Sequence, residues 1–336
     1  MKGMILAAGL GSRLRPLTWL RAKPAVPLLN RPLIRYAFDL LDSLRIREVV
    51  VNLHHLGRSV TGALEGVTPK VRYSPEPEIL GTAGAVGRVR NFWGAEPFVV
   101  CNGKIYFEQD LGPVLAAHRR SGALATLVLV PRKPEDPFRP VFLAEDGRIR
   151  AFGQDLPGRA DGPGYVFTGV QILSAAVLDL IPEGPSDLVK HIYEPLVARR
   201  GPVMGFVSRA HWFECSTPER YLEKSMGLLA RSGLNGLPEH SGGKNCRSVV
   251  LGSGVRVPEG TSLERCVIWD GARLGSRCRL RDSIVAGEVG IPAGTRLSNV
   301  VVTPPFPAPL RPTGETDPDY WTWPLEGPWP GKETVP

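Results

Sequence analysis

The stretch from Met4 to Pro24 reads MILAAGLGSRLRPLTWLRAKP, and the rest of the fold can be worked out from it. An apolar run from Met4 to Ala8 has the composition of a buried strand. The strand breaks at once into a glycine loop, Gly9 to Ser12, and two cations follow, Arg13 and Lys23. A strand, a glycine loop and two positive charges in this order predict a binding site for phosphate groups.

The glycines make this loop suitable for an anion. They allow the backbone to approach a ligand closely and to turn several N–H groups towards one point. An arginine can bind a polyphosphate through two parallel hydrogen bonds, and a lysine adds a compact point charge. The alternatives are a plain structural turn, a dinucleotide-binding loop and a P-loop. A dinucleotide loop would have a third glycine at Leu14, and the Lys-Ser/Thr ending of a P-loop is absent.

The motif LAAGLGSRLRPLT, followed by Lys23 and Pro24, resembles the signature of the sugar-1-phosphate nucleotidyltransferases, or NDP-sugar pyrophosphorylases. In that family the loop binds the nucleoside triphosphate. The residues for which the resemblance implies nucleotide binding are Ala8, Gly9, Gly11, Ser12 and Arg13. It also implies catalytic roles, with Arg13 on the outer phosphates and Lys23 on a phosphate near the reacting centre.

A second motif, Glu76 to Val86, reads EPEILGTAGAV and resembles the loop and helix start that hold the base and ribose in the same family. A helix that begins there would direct its first N–H groups at the nucleotide. The resemblance implies nucleotide binding by Glu76, Gly81 and Thr82. Taken alone, the glycines could serve only as a helix entry.

Composition and charge restrict the class of protein. With 336 residues, 43% of them hydrophobic, the chain can bury a core large enough for one large domain and a smaller one. The formal net charge of +8 suits anionic substrates, but it would also suit RNA or a membrane surface. No basic run interleaved with aromatic residues is present, so we do not expect nucleic acid as a partner. No apolar run is long enough to span a bilayer, so we do not expect a membrane either.

The cysteines and the first residues predict the compartment. The five cysteines show no C-x-x-C pairing and no metal-ligand spacing, which favours free thiols in a reducing cytosol. A core strand follows the first residue almost directly and leaves no room for a signal peptide. We therefore expect a cytoplasmic protein.

Apolar runs alternate with helical periodicities over residues 4–130, which predicts parallel strands joined by crossover helices. Asp146-Gly147 between two apolar segments is a hairpin signal, and Tyr165 to Leu173 reads as a strand. The predicted fold class is α/β, with a Rossmann-like mixed or parallel sheet. The family resemblance implies the GT-A-like nucleotidyltransferase form of this fold, over residues 1–232.

The remainder of the chain has a different pattern. Residues 233–247 have the composition of a linker. Over residues 248–302 small or branched residues recur about every six positions, and this hexapeptide pattern resembles a short left-handed parallel β-helix with about 18 residues per coil. The recurring residues are Val255, Thr261, Val267, Ala272, Cys278, Ile284, Ile291 and Leu297. About three coils fit, which favours a structural or assembly role.

The tail, residues 303–336, is dense in proline and tryptophan. We expect it to form neither helix nor sheet, and its aromatic residues favour packing against the body or against another subunit, with disorder as the alternative. Because the β-helix faces and the tail both offer surfaces for association, we expect a homo-oligomer.

Sugar recognition is less clear in the sequence. Phe167 to Val170 resembles the family strand whose glycine lies against the bound sugar, which implies sugar binding by Thr168 and Gly169. The Glu-Lys-Pro sugar clamp of the family should fall near residues 153–155, and it is absent. Gln154 stands there and can form a hydrogen bond with a sugar hydroxyl. These motifs identify neither the base nor the sugar.

Two positions depart from the family where its members bind magnesium. Most members have Asn-Gly-Asp after the fourth strand, and here Asn102 and Gly103 are followed by Lys104. The second metal aspartate of the family is replaced by Glu214. The resemblance implies nucleotide binding by Asn102, Mg²⁺ binding by Glu214 and an electrostatic catalytic role for Lys104. A lysine about 4 Å from a divalent ion repels it by more than about 1 kcal/mol even in water, so we expect a weakened Mg²⁺ site.

Three functions remain open at this point. In the first, a sugar 1-phosphate attacks the α-phosphorus of an NTP in line, and an NDP-sugar and pyrophosphate form. In the second, Lys104 abolishes metal binding, and the chain is a non-catalytic paralogue that senses an NDP-sugar and regulates an active partner. In the third, the β-helix is the functional part and the front half only carries it. The retained phosphate-binding residues favour the first.

Overall fold

The computed structural model describes residues 1–134, 136–153, 164–233, 245–306 and 317–326. In chain order its strands are β1 Gly3–Leu6, β2 Pro27–Leu28, β3 Arg31–Pro32, β4 Glu48–Leu53, β5 Lys70–Pro75, β6 Phe98–Asn102, β7 Ile105–Phe107, β8 Ala125–Pro131, β9 Pro140–Leu143, β10 Ile149–Phe152, β11 Tyr165–Leu173, β12 Val203–Val207, β13 Trp212–Glu214, β14 Cys246–Leu251, β15 Ser262–Ile268, β16 Arg273–Leu274, β17 Arg279–Val285, β18 Gly290–Ile291, β19 Arg296–Ser298, β20 Val300–Thr303 and β21 Trp321–Pro324. Its α-helices are α1 Leu17–Leu20, α2 Leu33–Asp42, α3 Gly57–Ala63, α4 Gly81–Arg88, α5 Gly112–Ser121, α6 Glu194–Ala198 and α7 Pro218–Ser232.

The chain divides into two compact units. The first comprises Met1–Gly9 and Leu33–Glu214, and the second comprises Leu10–Pro32 and Cys215–Pro336. The glycine loop therefore begins in the first unit and continues in the second. The domain bounds proposed from the sequence, 1–232, 233–247, 248–302 and 303–336, stay a prediction.

A mixed sheet, nine-stranded among the described residues, organises the first unit. Its central strand β1 runs parallel to β4 on one side and to β6 on the other, with Gly3 opposite Val49 and Val99. These strands are almost continuously apolar because they are buried along most of their length, as expected for strands in the middle of a parallel sheet. The predicted α/β class with a mixed or parallel sheet is confirmed.

The strand β11 gives the sheet its antiparallel part, because it runs antiparallel to β6, β8 and β9. The hairpin predicted at Asp146-Gly147 is present as the β9–β10 pair. Sequence analysis missed β7 and β12. A strand of three residues shows no usable periodicity, and Gly205 interrupts the apolar run of β12.

The second unit contains the predicted parallel β-helix. The strands β14, β15, β17 and β20 stack in parallel. One ladder of this stack consists of Val250, Val267, Ile284 and Val301. Successive members are 17 residues apart, so the expected coil of about 18 residues was one residue too long. All eight residues predicted to recur inside the coils are buried.

Each coil turns a corner at the same place in a left-handed backbone conformation. The corner residues, with φ between +44° and +56°, are Ser248, Arg265, Asp282 and Asn299. Residues other than glycine adopt this conformation infrequently, asparagine and aspartate most readily. The corner repeats every 17 residues although its residue type changes, so it leaves no motif in the sequence.

The tail corrects the expectation that it would form no sheet. The strand β21 pairs antiparallel with β20, and Val301 lies opposite Trp323. Trp323 is fully buried. Tryptophan and threonine have high β propensity, and β20 offers an edge on which they can pair. In the described part of the tail, packing against the body is thus what the structure shows.

Each of the five cysteines is a free thiol. Burial raises the pKa of Cys101 and of Cys266 to about 12, so both thiols stay protonated at neutral pH. None of the helices in the described part of the chain combines the length and apolar composition needed to cross a bilayer.

The helix α5 carries a buried histidine, His118, whose Nδ1 lies 2.9 Å from Thr126 Oγ1 and whose Nε2 lies 3.1 Å from Ser174 Oγ. Burial, and to a smaller degree the charge of Arg119, lowers the pKa of His118 below its ordinary value of 6.5. The folded protein therefore keeps this imidazole neutral at a pH at which the unfolded chain binds a proton.

We expect the free energy of unfolding to be highest above pH 6.5 as far as His118 is concerned, and to fall as the pH drops through the lower pKa of the folded state. The variant His118→Gln should flatten this pH dependence, because glutamine keeps hydrogen-bonding groups but does not titrate. Urea denaturation at several pH values between about 5 and 8 measures the effect. Equal slopes for the variant and the wild type would assign the pH dependence to other groups.

Candidate functional site

The glycine loop is shaped by Gly11, which has a left-handed backbone conformation with φ +65°. Its carbonyl accepts hydrogen bonds from the Leu14 N–H at 2.8 Å and from the Thr18 hydroxyl at 3.1 Å. A Cβ on Gly11 would lie 2.8 Å from Thr18 Cγ2 and 3.1 Å from Lys23 Cβ. Glycine is therefore needed at this position, and it lets Thr18 and Lys23 pack directly against the loop.

The two predicted phosphate-binding cations differ in exposure. Arg13 is exposed, as is Ser12, and both lie on a 3₁₀ turn, Ser12–Leu14. Lys23 is only 5% exposed and begins a second 3₁₀ turn, Lys23–Ala25. The second unit thus presents one surface guanidinium and one largely buried ammonium on the same short segment.

The loop starts with Ala8 and Gly9, which belong to the first unit. Ala8 is buried, whereas a Cβ on Gly9 would meet no protein atom within 4 Å. Packing within the protein therefore does not require glycine at position 9. The close approach of a ligand, predicted from the sequence, is the remaining physical reason for it.

A buried hydrogen-bond network joins the carboxyl ends of three parallel strands. Asn52, in β4, accepts a hydrogen bond from the Ala7 N–H at 2.7 Å and donates one to Glu76 Oε1 at 2.8 Å. The other oxygen of Glu76 accepts from the Leu80 N–H at 3.1 Å. Asn52 and Glu76 are 3% and 4% exposed. Glu76 therefore fixes the loop that leads from β5 into α4.

The start of α4 has a different role from the one predicted. The Ala83 and Gly84 N–H groups both donate to the Ser186 carbonyl, at 2.9 and 3.2 Å, so they are not available to a nucleotide. A Cβ on Gly81, where φ is +71°, would lie 2.5 Å from that same carbonyl. The expectation that the N–H groups of this helix point at the nucleotide is wrong for these two, because the loop at Ser186 occupies the helix end.

The hydroxyl of Thr82 is also used within the protein. It donates to Asp187 Oδ2 at 2.9 Å and accepts from the Leu188 N–H at 2.7 Å. Gly81 and Thr82 thus join α4 to the segment around residues 186–188. Their predicted contact with the base stays a prediction.

The predicted sugar-binding glycine lies against Asn102, at the end of β6. Gly169 has φ +82°, and a Cβ there would lie 2.1 Å from Asn102 Nδ2. The register between β11 and β8 shifts between Phe167 and Gln171, which makes this a bulge in β11. The Thr168 carbonyl accepts from Trp212 Nε1 at 3.0 Å, and the Thr168 hydroxyl donates to the Val128 carbonyl. The structure therefore brings together three residues predicted from separate motifs.

The two departures from the family motif form an ion pair with each other. The ammonium of Lys104 lies 3.3 Å from both carboxylate oxygens of Glu214. The antiparallel ribbon of β7 and β13 brings them together, since Ile105 lies opposite Glu214. The Glu214 side chain is 8% exposed and the Lys104 side chain is 35% exposed. A largely buried carboxylate is thus neutralised by a lysine that reaches it from the surface.

The residues at this position do not fit a two-carboxylate metal site. Mg²⁺ is held by oxygen ligands, with one or two carboxylates completed by substrate phosphates. Here one carboxylate is present, and its oxygens face an ammonium. Among the described residues no three histidine, cysteine, aspartate or glutamate side chains are grouped so that they could hold a metal ion. The donor chemistry therefore disagrees with the protein-bound Mg²⁺ that the family resemblance implies.

Comparison with known proteins identifies the family. The family model described as nucleotidyl transferase matches residues 2–231, more than half of the chain. The chain belongs to this family. A second model, described as GlmU-like, C-terminal hexapeptide, matches residues 237–299. The two matches agree with the predicted combination of a nucleotidyltransferase and hexapeptide repeats.

Relatives of this nucleotidyl transferase match it over most of their length. The UTP-glucose-1-phosphate uridylyltransferase of Synechocystis sp. is 27% identical, over 86% of this chain and 88% of its own. The mannose-1-phosphate guanyltransferase beta-B of Xenopus laevis is 28% identical, over 90% of each chain. Both names specify a sugar 1-phosphate as the acceptor.

Among solved structures, HddC from Yersinia pseudotuberculosis matches with a TM-score of 0.58 and 22% identity, over 68% of this chain and 99% of its own. A second structure of HddC, described as complexed with GMP-PN, gives the same values. At this level of identity the likeness shows the shared fold.

Of the predicted site residues, Gln154 lies outside the described part of the chain. Sequence analysis missed Asn52, although a signal was present, because a polar residue near the end of the apolar run Val49–Val51 needs a partner when it is buried. It also missed Trp212 as a partner of the Thr168 carbonyl. Ribbon pairing between β7 and β13 joins distant parts of the sequence, so no local pattern shows it.

The nucleotidyl transferase loop offers a matched pair of glycine variants. Gly11→Ala should lower the free energy of unfolding by about 1–3 kcal/mol, because of the positive φ and the clash with Thr18. Gly9→Ala should change it by less than about 0.5 kcal/mol, because its Cβ enters open space, yet it should weaken nucleotide binding. Chemical denaturation and nucleotide titration measure the two effects. Intact nucleotide affinity in Gly9→Ala would contradict the predicted role of Gly9.

A double-mutant cycle tests the ion pair. Lys104→Met should lower the free energy of unfolding by about 1–3 kcal/mol, because a largely buried carboxylate loses its counter-charge. Glu214→Gln should cost less, since the partly exposed lysine can reach solvent. The double variant should lose clearly less stability than the sum of the single losses. Additive losses would show that the two side chains do not stabilise each other.

Proposed function

We propose that the protein is a sugar-1-phosphate nucleotidyltransferase that makes an NDP-sugar and pyrophosphate from an NTP and a sugar 1-phosphate. An oxygen of the sugar phosphate attacks the α-phosphorus in line. The bond between the α-phosphorus and the oxygen that bridges to the β-phosphate breaks, and pyrophosphate leaves with that oxygen and its electron pair. The attacking phosphate is ionised near neutral pH, so the reaction needs no general base.

The observation that carries this proposal is the family match over residues 2–231, together with a glycine loop that keeps its phosphate-binding residues. A chain that had lost nucleotide binding would be free to replace them. The relatives that span most of the chain act, by their names, on glucose 1-phosphate and mannose 1-phosphate with different bases. They support the reaction class, and leave the base and the sugar open.

In this proposal the phosphate chain of the NTP is bound by the glycine loop, with Arg13 on the outer phosphates and Lys23 nearer the reacting centre. Catalysis then consists mainly of positioning and charge neutralisation. The remaining proposed nucleotide contacts are Ala8, Gly9, Gly11, Ser12, Glu76, Gly81, Thr82 and Asn102. The proposed sugar contacts are Gln154, Thr168 and Gly169.

Lys104 is proposed to supply positive charge near the α-phosphate, where the family resemblance implies a metal ion. The support for this role is the ion pair with Glu214, which holds the ammonium in place at one edge of the ribbon. A unit charge about 4 Å from an anionic oxygen contributes about 1 kcal/mol in water and several times more in a cleft of lower dielectric. On this proposal Glu214 orients the lysine instead of binding Mg²⁺.

A second candidate function is that of a non-catalytic paralogue that binds an NDP-sugar and regulates an active partner. The same ion pair favours it, because a lysine on the only described carboxylate of the predicted metal site also removes a site for Mg²⁺. The cytoplasmic location and the homo-oligomer expected from the sequence remain predictions under either function.

A pyrophosphate-release assay over a matrix of NTPs and sugar 1-phosphates, with and without Mg²⁺, tests the proposal. We expect release with one pair, and a fall of about 10²–10³-fold in turnover for Lys23→Ala. Lys104→Asp should also lower turnover if the lysine supplies the charge. A higher Mg²⁺-dependent rate in Lys104→Asp would mean instead that the wild-type site is a damaged metal site.

Thermal shift with nucleotides and NDP-sugars serves as the binding control. Binding of an NDP-sugar without pyrophosphate release from any pair would support the regulatory paralogue and contradict the enzyme. Turnover in Lys23→Ala equal to the wild type would contradict the phosphate-binding assignment.

A further inference from the structure

The segment that carries the phosphate-binding cations belongs to the same compact unit as the β-helix. This unit contains Leu10–Pro32 and Cys215–Pro336. Gly11, Arg13 and Lys23 therefore depend for their support on residues more than 180 positions later in the chain. The contacts that provide this support fall into three groups.

The first group lies between α1 and the tail. Trp19 packs against Trp323, with the ring centroids 5.1 Å apart, and against Phe306, with the centroids 5.2 Å apart, both edge to face. Trp323 is held by the pairing of β21 with β20, and its Nε1 donates to Thr303 Oγ1 at 3.0 Å. Edge-to-face aromatic pairs stabilise beyond the area that they bury. The tail thus holds α1 by its tryptophan.

The second group lies between Arg21 and a corner of the β-helix. The Arg21 guanidinium lies over the Trp269 ring, 5.1 Å from its centroid, and forms an ion pair with Asp270 at 2.8 Å. A planar guanidinium can stack on an aromatic ring and bind a carboxylate at the same time. This clamp lies two residues before Lys23.

The third group follows Lys23. Trp269 Nε1 donates to the Tyr221 hydroxyl at 3.0 Å, and that hydroxyl donates to the Pro27 carbonyl at 2.5 Å. Burial raises the pKa of Tyr221, so the phenol remains a donor. The Asn30 side chain donates to the Leu251 carbonyl, at the end of β14, at 2.5 Å.

These contacts bracket the phosphate-binding residues. Thr18, next to Trp19, donates to the Gly11 carbonyl and would block any side chain there. Arg21 is fixed on one side of Lys23 and Pro27 on the other. A loop of this length without packed side chains of its own would sample many conformations, at a cost when a ligand orders it.

We infer that the β-helix and the tail strand β21 position the phosphate-binding segment, with Trp323 and Trp269 as positioning residues. The C-terminal part of the chain is then a scaffold for triphosphate binding, in addition to any role in assembly. The part of this inference that concerns nucleotide affinity rests on the proposed function. The part that concerns the order of Leu10–Pro32 does not.

Hydrogen–deuterium exchange and nucleotide titration of the full chain test the inference together. In Trp323→Ala we expect exchange in peptides from residues 10–32 to be at least about tenfold faster, because local opening then requires fewer contacts to break. We expect UTP and GTP, titrated separately, to bind about tenfold more weakly where the wild type binds them, which corresponds to about 1.4 kcal/mol. Trp323→Phe, which keeps an aromatic ring, should restore most of both effects.

The control variant is Leu263→Ala, which opens a cavity in the β-helix core cluster, whose described members include no residue of Leu10–Pro32. It should lower the thermal stability without selective exchange in residues 10–32. If Trp323→Ala changes exchange in that segment no more than this control does, the inference is wrong.

A second variant, Asp270→Ala, removes one arm of the Arg21 clamp at a half-exposed side chain, so the fold should survive. It should speed exchange in peptides that contain Arg21 to Lys23, and unchanged exchange there would contradict the inference even if Trp323→Ala fails to fold. If the wild type binds neither nucleotide, the proposed function loses its support, while the exchange data still decide whether the C-terminal part positions the segment.

Discussion

The hydrogen bond from the Ala7 N–H to the Asn52 side chain holds the point at which the central strand gives way to the glycine loop. A buried backbone N–H at the end of a strand needs a partner, and the next residues leave the sheet and provide none. Asn52 uses its oxygen on Ala7 and its nitrogen on Glu76, so its orientation is fixed from both ends. Through Glu76 the same network sets the start of α4. The edge of the sheet is thus ordered before any ligand arrives.

How far the sequence predicted this structure depends on the range over which each feature is encoded. The apolar runs of β1, β4 and β6 show burial directly, and the six-residue recurrence shows the β-helix interior, so both were predicted. Coil length was wrong by one residue, because corners such as Arg265 and Asp282 adopt a left-handed conformation that their residue types do not reveal. The strand β21 was missed because its partner β20 is needed to make Trp321–Pro324 a strand.

The candidate site shows the same division. The glycine loop is a local motif, and Gly11 has the geometry that its residue type suggests. Lys104 and Glu214 were each recognised as departures, but their pairing depends on a ribbon between positions 110 residues apart. A tethered ammonium differs physically from a divalent ion. It carries one charge instead of two, it cannot be exchanged or removed by a chelator, and its position depends on the backbone that carries it.

The antiparallel strand β21 also ends the β-helix. A stack of parallel coils exposes, at each end, a row of backbone N–H and C=O groups on which another chain can pair. Repeat proteins need caps at their ends for this reason. Because β21 runs opposite to every rung before it, a further parallel coil cannot continue the ladder beyond β20. Among the described strands β14 alone ends this sheet without a cap, so copies of the chain cannot join end to end into a growing fibre.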